Sequence, residues 1–202
     1  MAKLIVYYAH PGNKYSHANA AMVERASDVD GITFVDLYAQ YPRFDINIDR
    51  EQQRLLDHDV ILFQFPMFWY STPALVKEWQ DLVLEHGFAY GAGGDRLQGK
   101  SMMLAVTAAG DRAAYSENGY QHYPIRTFLT PLERTAKLCH MNFIAPYVLF
   151  GSLRATEDGR LAEHVMRYGE LLESIRDDQF DFTAGIQATV LEFDNLPILT
   201  GV

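Results

Sequence analysis

Three short stretches of the sequence carry residues whose types and spacing suit chemistry on a ligand. The first is His10-Pro11-Gly12-Asn13-Lys14-Tyr15-Ser16-His17-Ala18-Asn19. Ser16 is a good helix N-cap, and the helix after it presents free backbone N–H groups. With the side chains of His10, His17 and Asn19 as further donors, that combination suits a phosphate. A capped helix with solvated histidines is the plainer alternative. The second stretch, Pro66-Met67-Phe68-Trp69-Tyr70-Ser71-Thr72-Pro73, sets three aromatics in a row that cannot all point inward from an ordinary loop. Trp69 and its neighbours can wall a flat isoalloxazine ring while backbone N–H groups meet its polar edge, or one or two of the rings can pack in the core. The third, Thr107-Ala108-Ala109-Gly110-Asp111, lets backbone approach a ligand closely. Tyr115 and His122 beyond it are placed to donate hydrogen bonds to a charged oxygen on a reduced ring or a quinone, or are simply solvated.

A fourth stretch competes with these. Gly94-Asp95-Arg96-Leu97-Gln98-Gly99-Lys100-Ser101 satisfies the Walker A pattern to the letter. A phosphate-binding loop leaves a strand and enters a helix, whereas this stretch leaves a helix and enters a strand, which argues against a P-loop nucleotide-binding protein. The first loop lacks G-x-G-x-x-G, so a dinucleotide site there has little support. There is no H-E-x-x-H, paired CxxC or G-x-S-x-G, and His10 and His17 have no obvious third ligand, so no metal is expected. Nothing cationic is arranged to activate the one cysteine, Cys139, and it reads as core.

The elements that must position these loops follow from the apolar runs 3–9, 32–37, 60–65, 102–107 and 143–150, each of the kind buried on both faces of a parallel sheet. Helices are predicted over 72–86, capped by Ser71 or Thr72 and stopped by Gly87; from Thr130, with Pro131 first and Glu133 closing a capping box; and over 161–176. Alternation of strand and helix means α/β, with flavodoxin-like order 2-1-3-4-5 as the expected solution and ligands beyond the carboxyl ends of the strands. The division expected is 1–179 for the flavin-binding domain and 180–202 for an apolar tail that covers a neighbour or an edge strand. At 202 residues and 49% apolar composition, the chain needs no disulfide or metal to complete a core. A net charge of −9, with 17 scattered Lys and Arg, argues against nucleic acid as a partner. No run approaches the ~20 apolar residues of a membrane span, and the chain opens into a strand rather than a signal segment, so a cytoplasmic protein is expected.

Taken together, YAHP with SHAN (8–11, 16–19), DLYAQYPRFDINI (36–48), REQQRLLDHDVILFQFPMFWYSTPALVKEW (50–79), HGFAYGAGGDRLQGK (86–100) and AVTAAG (105–110) carry a resemblance. The chain resembles the flavodoxin-like NAD(P)H:quinone oxidoreductase family, and within it the ancillary flavoproteins of glutathione-regulated potassium-efflux systems. The resemblance implies a three-layer sandwich and a homodimer that binds FMN, with FAD the alternative. NAD(P)H would give hydride to the flavin and leave, and a quinone or related electrophile would then take two electrons from the same pocket. It also implies an ancillary role at a potassium/proton antiporter on the cytoplasmic face of the inner membrane. By the same resemblance, His10 and Ser16 to Asn19 hold the flavin phosphate region, Met67 to Tyr70 line the ring, Thr107 to Gly110 contact its other side, and Tyr115 assists transfer. His122 lies one residue from the family's histidine position. Related reductases read Thr-Thr-Gly-Gly where this chain reads Thr107-Ala108-Ala109-Gly110, and an alanine cannot follow a glycine into positive φ cheaply, so altered flavin affinity or geometry is expected.

Overall fold

Strand β1, Leu4–Tyr8, is buried along its whole length, as an all-apolar run at the centre of a parallel sheet must be. The computed structural model describes residues 1–12 and 16–199, so Asn13, Lys14 and Tyr15 of the first loop and residues 200–202 of the tail lie outside the described residues. After β1 come α1 (His17–Ser27), β2 (Thr33–Asp36), α2 (Leu37–Gln40), α3 (Ile48–Asp57), β3 (Val60–Pro66), α4 (Ala74–Val83) and β4 (Ser101–Thr107). Then follow α5 (Ile125–Phe128), α6 (Thr130–Leu138), β5 (Asn142–Phe143), β6 (Tyr147–Leu149), α7 (Arg160–Arg176) and α8 (Phe182–Gln187). The sheet is parallel with order β2-β1-β3-β4-β5, and β6 also pairs with β4. Alternate strand residues feed two cores. Tyr7, Phe63 and Leu104 face Leu55, Trp79 and Ala136 of α3, α4 and α6, while Val6, Leu62 and Met103 face Met22, Tyr168 and Leu172 of α1 and α7.

The run 143–150 is not one strand. Met102 pairs with Phe143 but Ala105 with Tyr147, so one extra residue bulges between β5 and β6. Pro146 has no N–H to give β4, and the Ala145 N–H turns away to the carbonyl of Gly185 in the tail. The helix expected over 72–86 is shorter, and neither Ser71 nor Thr72 caps it; Pro73 stands at its N-cap with no side-chain bond. Nor is there a capping box on α6. Leu129 occupies the N-cap, and Glu133 instead pairs with Arg126 at 3.1 Å and Lys137 at 2.8 Å, which hold its carboxyl below the usual range. Cys139 is buried, and burial pushes its thiol up to about 11.

His164 on α7 is fully buried and stacks on Tyr147 at 4.2 Å, with neither ring nitrogen hydrogen-bonded among the described residues. Burial first, and Arg160 second, lower it to about 3. Between its unfolded value and that figure, only the unfolded chain binds the proton, so stability falls as pH drops from about 6.5 toward 3, by up to about 1.4 kcal/mol per pH unit. His164→Phe is expected to flatten the decline in melting temperature between pH 7 and 5; parallel declines in variant and parent would assign the acid lability elsewhere.

Candidate functional site

Helix α1 begins at His17, after the loop that follows β1, because Ser16, in extended backbone, accepts the Asn19 N–H at 3.1 Å. The N–H groups of His17 and Ala18 are left without helical partners, and the positive end of the helix dipole points out with them. Asn19 is 1% exposed and ties this turn to the sheet. Its Nδ2 donates to Thr107 Oγ1 at 2.8 Å, and its carbonyl accepts from Gln64 Nε2 at 3.4 Å. Gln64 Oε1 in turn accepts the Tyr168 hydroxyl at 3.0 Å. Among the described residues, one atom of this buried network, Asn19 Oδ1, has no partner. A buried acceptor left unpaired costs about 1–3 kcal/mol, so it calls for a donor from a ligand or a water.

Asn19 lines a hollow of about 330 Å³ at the carboxyl ends of the strands. His10, Ser16, His17 and Ala18 form one wall, Pro66, Met67 and Phe68 another, and Thr107 and Ala109 lie between them. Through Ala109 and Leu153 it continues into an open groove of about 780 Å³ along Gly110, Ala113, Ala114 and Tyr120. That is the size and position expected of a cofactor site in a doubly wound fold. No described Lys or Arg lines the hollow, so an anion there would be held by backbone N–H and hydroxyl dipoles. Burial keeps the His10 imidazole below its ordinary value. Its Nδ1 accepts the Gly12 N–H at 3.1 Å, which leaves Nε2 as the donor.

The aromatic loop takes a form the sequence did not suggest. Phe68 and Ser71 exchange two backbone hydrogen bonds at 3.1 and 3.0 Å, closing a two-residue turn in which Trp69 (φ 49°) and Tyr70 (φ 66°) are both left-handed. Asn-Gly usually fills such a turn, and bulky residues there cost of order 1–3 kcal/mol each. Met67 and Phe68 reach the hollow, Tyr70 stacks on Phe128 at 5.2 Å, and Trp69 is 92% exposed rather than walling the cavity.

Ala108, Ala109 and Gly110 all keep negative φ, so alanine carries no positive-φ penalty in this loop. Ala108 is buried and Ala109 faces both cavities. A Cβ on Gly110 would meet the Tyr115 ring at 3.0 Å, so the tyrosine sits directly against the loop. Burial lifts the Tyr115 hydroxyl above the ordinary phenol value, with Tyr70 adding to it, and it remains a donor at neutral pH. His122 is exposed at φ 59° and lines neither cavity.

Ser152, Leu153 and Thr156, in the loop after β6, are wall residues that sequence reading missed. That loop is bound to the alanine loop by Ser152 N–H to Ala108 O and Gly151 N–H to Gly110 O, at 2.9 and 2.8 Å. The rule that placed the other loops at the ligand end applies equally to the fifth strand and would have found it. Gln64 was hidden inside an apolar run. The Walker-like stretch is a connector into β4, and its Lys100 Nζ is spent on the carbonyls of Leu56 and His58 at 3.1 and 2.6 Å.

Sheet order, a helix N-terminus at the first loop and a hollow over the strand ends define a flavodoxin-like protein, and the chain belongs to that family, whose defining pattern, a flavodoxin-like fold, matches residues 2–172. Among curated relatives, it is 42% identical to the glutathione-regulated potassium-efflux system ancillary protein KefG of Enterobacter sp. (strain 638), over 86% of this chain and 94% of that one. Among solved structures, it resembles the general stress protein 14 of Treponema denticola in complex with FMN (TM-score 0.77, 30% identity, 87% and 98% of the two chains). A putative quinone reductase of Klebsiella pneumoniae gives a TM-score of 0.72 at 26% identity, covering 87% and 85%.

FMN fits the residues present. Its phosphate suits the α1 N-terminus, its polyol hydroxyls suit the unpaired Asn19 Oδ1, and its ring suits the apolar surface of Met67, Phe68 and Ala109.

Proposed function

We propose that this chain binds FMN in the hollow and acts as an NAD(P)H:quinone oxidoreductase. The observation that carries the reading is Asn19, which lines a hollow at the N-terminus of α1 and whose buried Oδ1 has no partner among the described residues. Bound flavin would supply two-electron hydride chemistry between NAD(P)H and a quinone. The protein's part is to hold the phosphate at Ser16 to Ala18 and to turn the polyol on Asn19. Met67 and Phe68 keep water from one side of the hollow, and Tyr115, packed behind Gly110 of the adjoining groove, offers a phenolic proton. One pocket serving donor and acceptor in turn implies ping-pong kinetics.

Phe68, Trp69, Tyr70, Tyr120 and Tyr123 are exposed aromatics that a second copy of the chain would cover, which supports a homodimer. Likeness to KefG over almost its whole length supports a second, compatible reading, an ancillary protein of a potassium-efflux antiporter at the inner membrane. Among the described residues no helix is long and apolar enough to cross a membrane, so the association would be peripheral.

The test is steady-state oxidation of NADH and NADPH by the FMN-loaded protein at several quinone concentrations. Parallel double-reciprocal lines are expected; absence of quinone-dependent turnover with either nucleotide would leave the regulatory reading alone.

A further inference from the structure

The segment after α7 lies beyond the residues matched by the family pattern, yet it is firmly built in. Phe180 and Leu191 are buried at 3% and 1% exposure. Leu191 lies beside Tyr147 as an extra edge residue, its carbonyl accepting the Val148 N–H and its N–H donating to Pro146 O, both at 2.9 Å. From there the segment reaches the loop that carries Tyr115. Glu192 forms an ion pair with Arg112, and the carbonyls of Ala188 and Thr189 accept from Arg126 Nη1 at 2.7 and 3.3 Å.

These two arginines bracket the Tyr115 loop, one just before it and one just after. Between them the chain forms a single 3-10 turn, Arg112–Ala114, and is mostly exposed, with its hydrogen bonds largely internal. Tyr115 packs on Phe128 and Phe150 with Gly110 in front of it. Behind it lies a further hollow of about 340 Å³, walled by Arg112, Phe150, Val190 and Asn195. Tyr115 itself lines this hollow and so has room to move into it, away from Gly110, and Ala188, Thr189, Val190 and Asn195 of the C-terminal segment line it too.

We propose that residues 188–195 act as a strap that positions Tyr115, with Glu192 on Arg112 and the Ala188 and Thr189 carbonyls on Arg126 fixing the two ends of its loop. The consequence for Tyr115 as a proton donor rests on the function proposed above; the mechanical claim does not. Glu192 is a positioning residue that touches no ligand. The Glu192 side chain is 13% exposed and that of Arg112 68%, so solvent screens the pair from the arginine side.

The experiment is amide hydrogen exchange on flavin-free protein, so that its outcome does not depend on whether the chain binds flavin. The reporters are the amides of Tyr115, Gly119, Gln121 and His122, which are hydrogen-bonded within the loop. Glu192→Gln is expected to speed their exchange about 3- to 10-fold while amides of β1 and β3 stay unchanged. Glu192→Arg and Arg112→Glu singly should do the same, and the two together should restore the parent rates, a rescue that simple loss of packing would not produce. Unchanged loop exchange in Glu192→Gln, equal acceleration across the sheet, or no rescue by the exchanged pair would each overturn the strap.

Discussion

Ser16→Asp is expected to weaken FMN binding by about 10²- to 10³-fold while leaving the fold intact. Aspartate caps a helix as well as serine does, so its carboxylate can still accept the Asn19 N–H and α1 should start where it does now. What changes is charge at the mouth of the hollow. A carboxylate about 5 Å from a phosphate, at an effective dielectric near 20, costs about 3 kcal/mol per unit charge pair, which converts to the factor given. Riboflavin, which lacks the phosphate, should bind the variant nearly as well as it binds the parent. Titration with both ligands, alongside the melting temperature, separates the cases. Equal losses for FMN and riboflavin would mean that the phosphate does not sit at α1, and unchanged FMN affinity would remove the anion site altogether.

Glu51→Ala is expected to cost about 3–5 kcal/mol of stability. Glu51 on α3 is fully buried, and its carboxylate accepts from the Tyr41 hydroxyl at 2.5 Å, Arg54 Nη1 at 2.6 Å and Trp79 Nε1 at 3.1 Å. Removing it leaves a phenol and an indole N–H without partners and opens a void beside Trp79, which itself packs on Tyr7 and Phe63 of the sheet. For a chain of this length, the loss corresponds to a fall in melting temperature of about 10 °C or more. Glu51→Gln keeps the volume and one acceptor and should lose markedly less. The network joins α3 to α4, the helix that follows directly on the Trp69-Tyr70 turn, so it also steadies one wall of the cofactor hollow. A melting temperature within a degree or two of the parent would show that the buried carboxylate is dispensable.

These cases mark what the sequence makes legible. The strands declare themselves because burial on both faces leaves unbroken apolar runs, and parallel strands with crossovers leave the flavodoxin-like order as a simple solution. Ser16 is legible because capping is local chemistry. Glu51 and Gln64 are not, since a buried polar residue reads as solvated until its partners, distant in sequence, are known. Pro146 could have warned that the run 143–150 breaks, because proline cannot join a ladder from its N–H side. The left-handed Trp69 and Tyr70 could not have been foreseen, because their conformation runs against local preference. The tail's contacts with Arg112 and Arg126 depend on tertiary packing that no periodicity encodes.

The most direct test of the central claim is the visible absorbance spectrum of the protein as isolated, followed by mass identification of whatever heat releases from it. A yellow protein with flavin bands near a one-to-one ratio, releasing FMN, is the result this structure predicts. A colourless protein that leaves the fluorescence of added FMN unquenched would contradict the assignment of the hollow beside Asn19 as a flavin site.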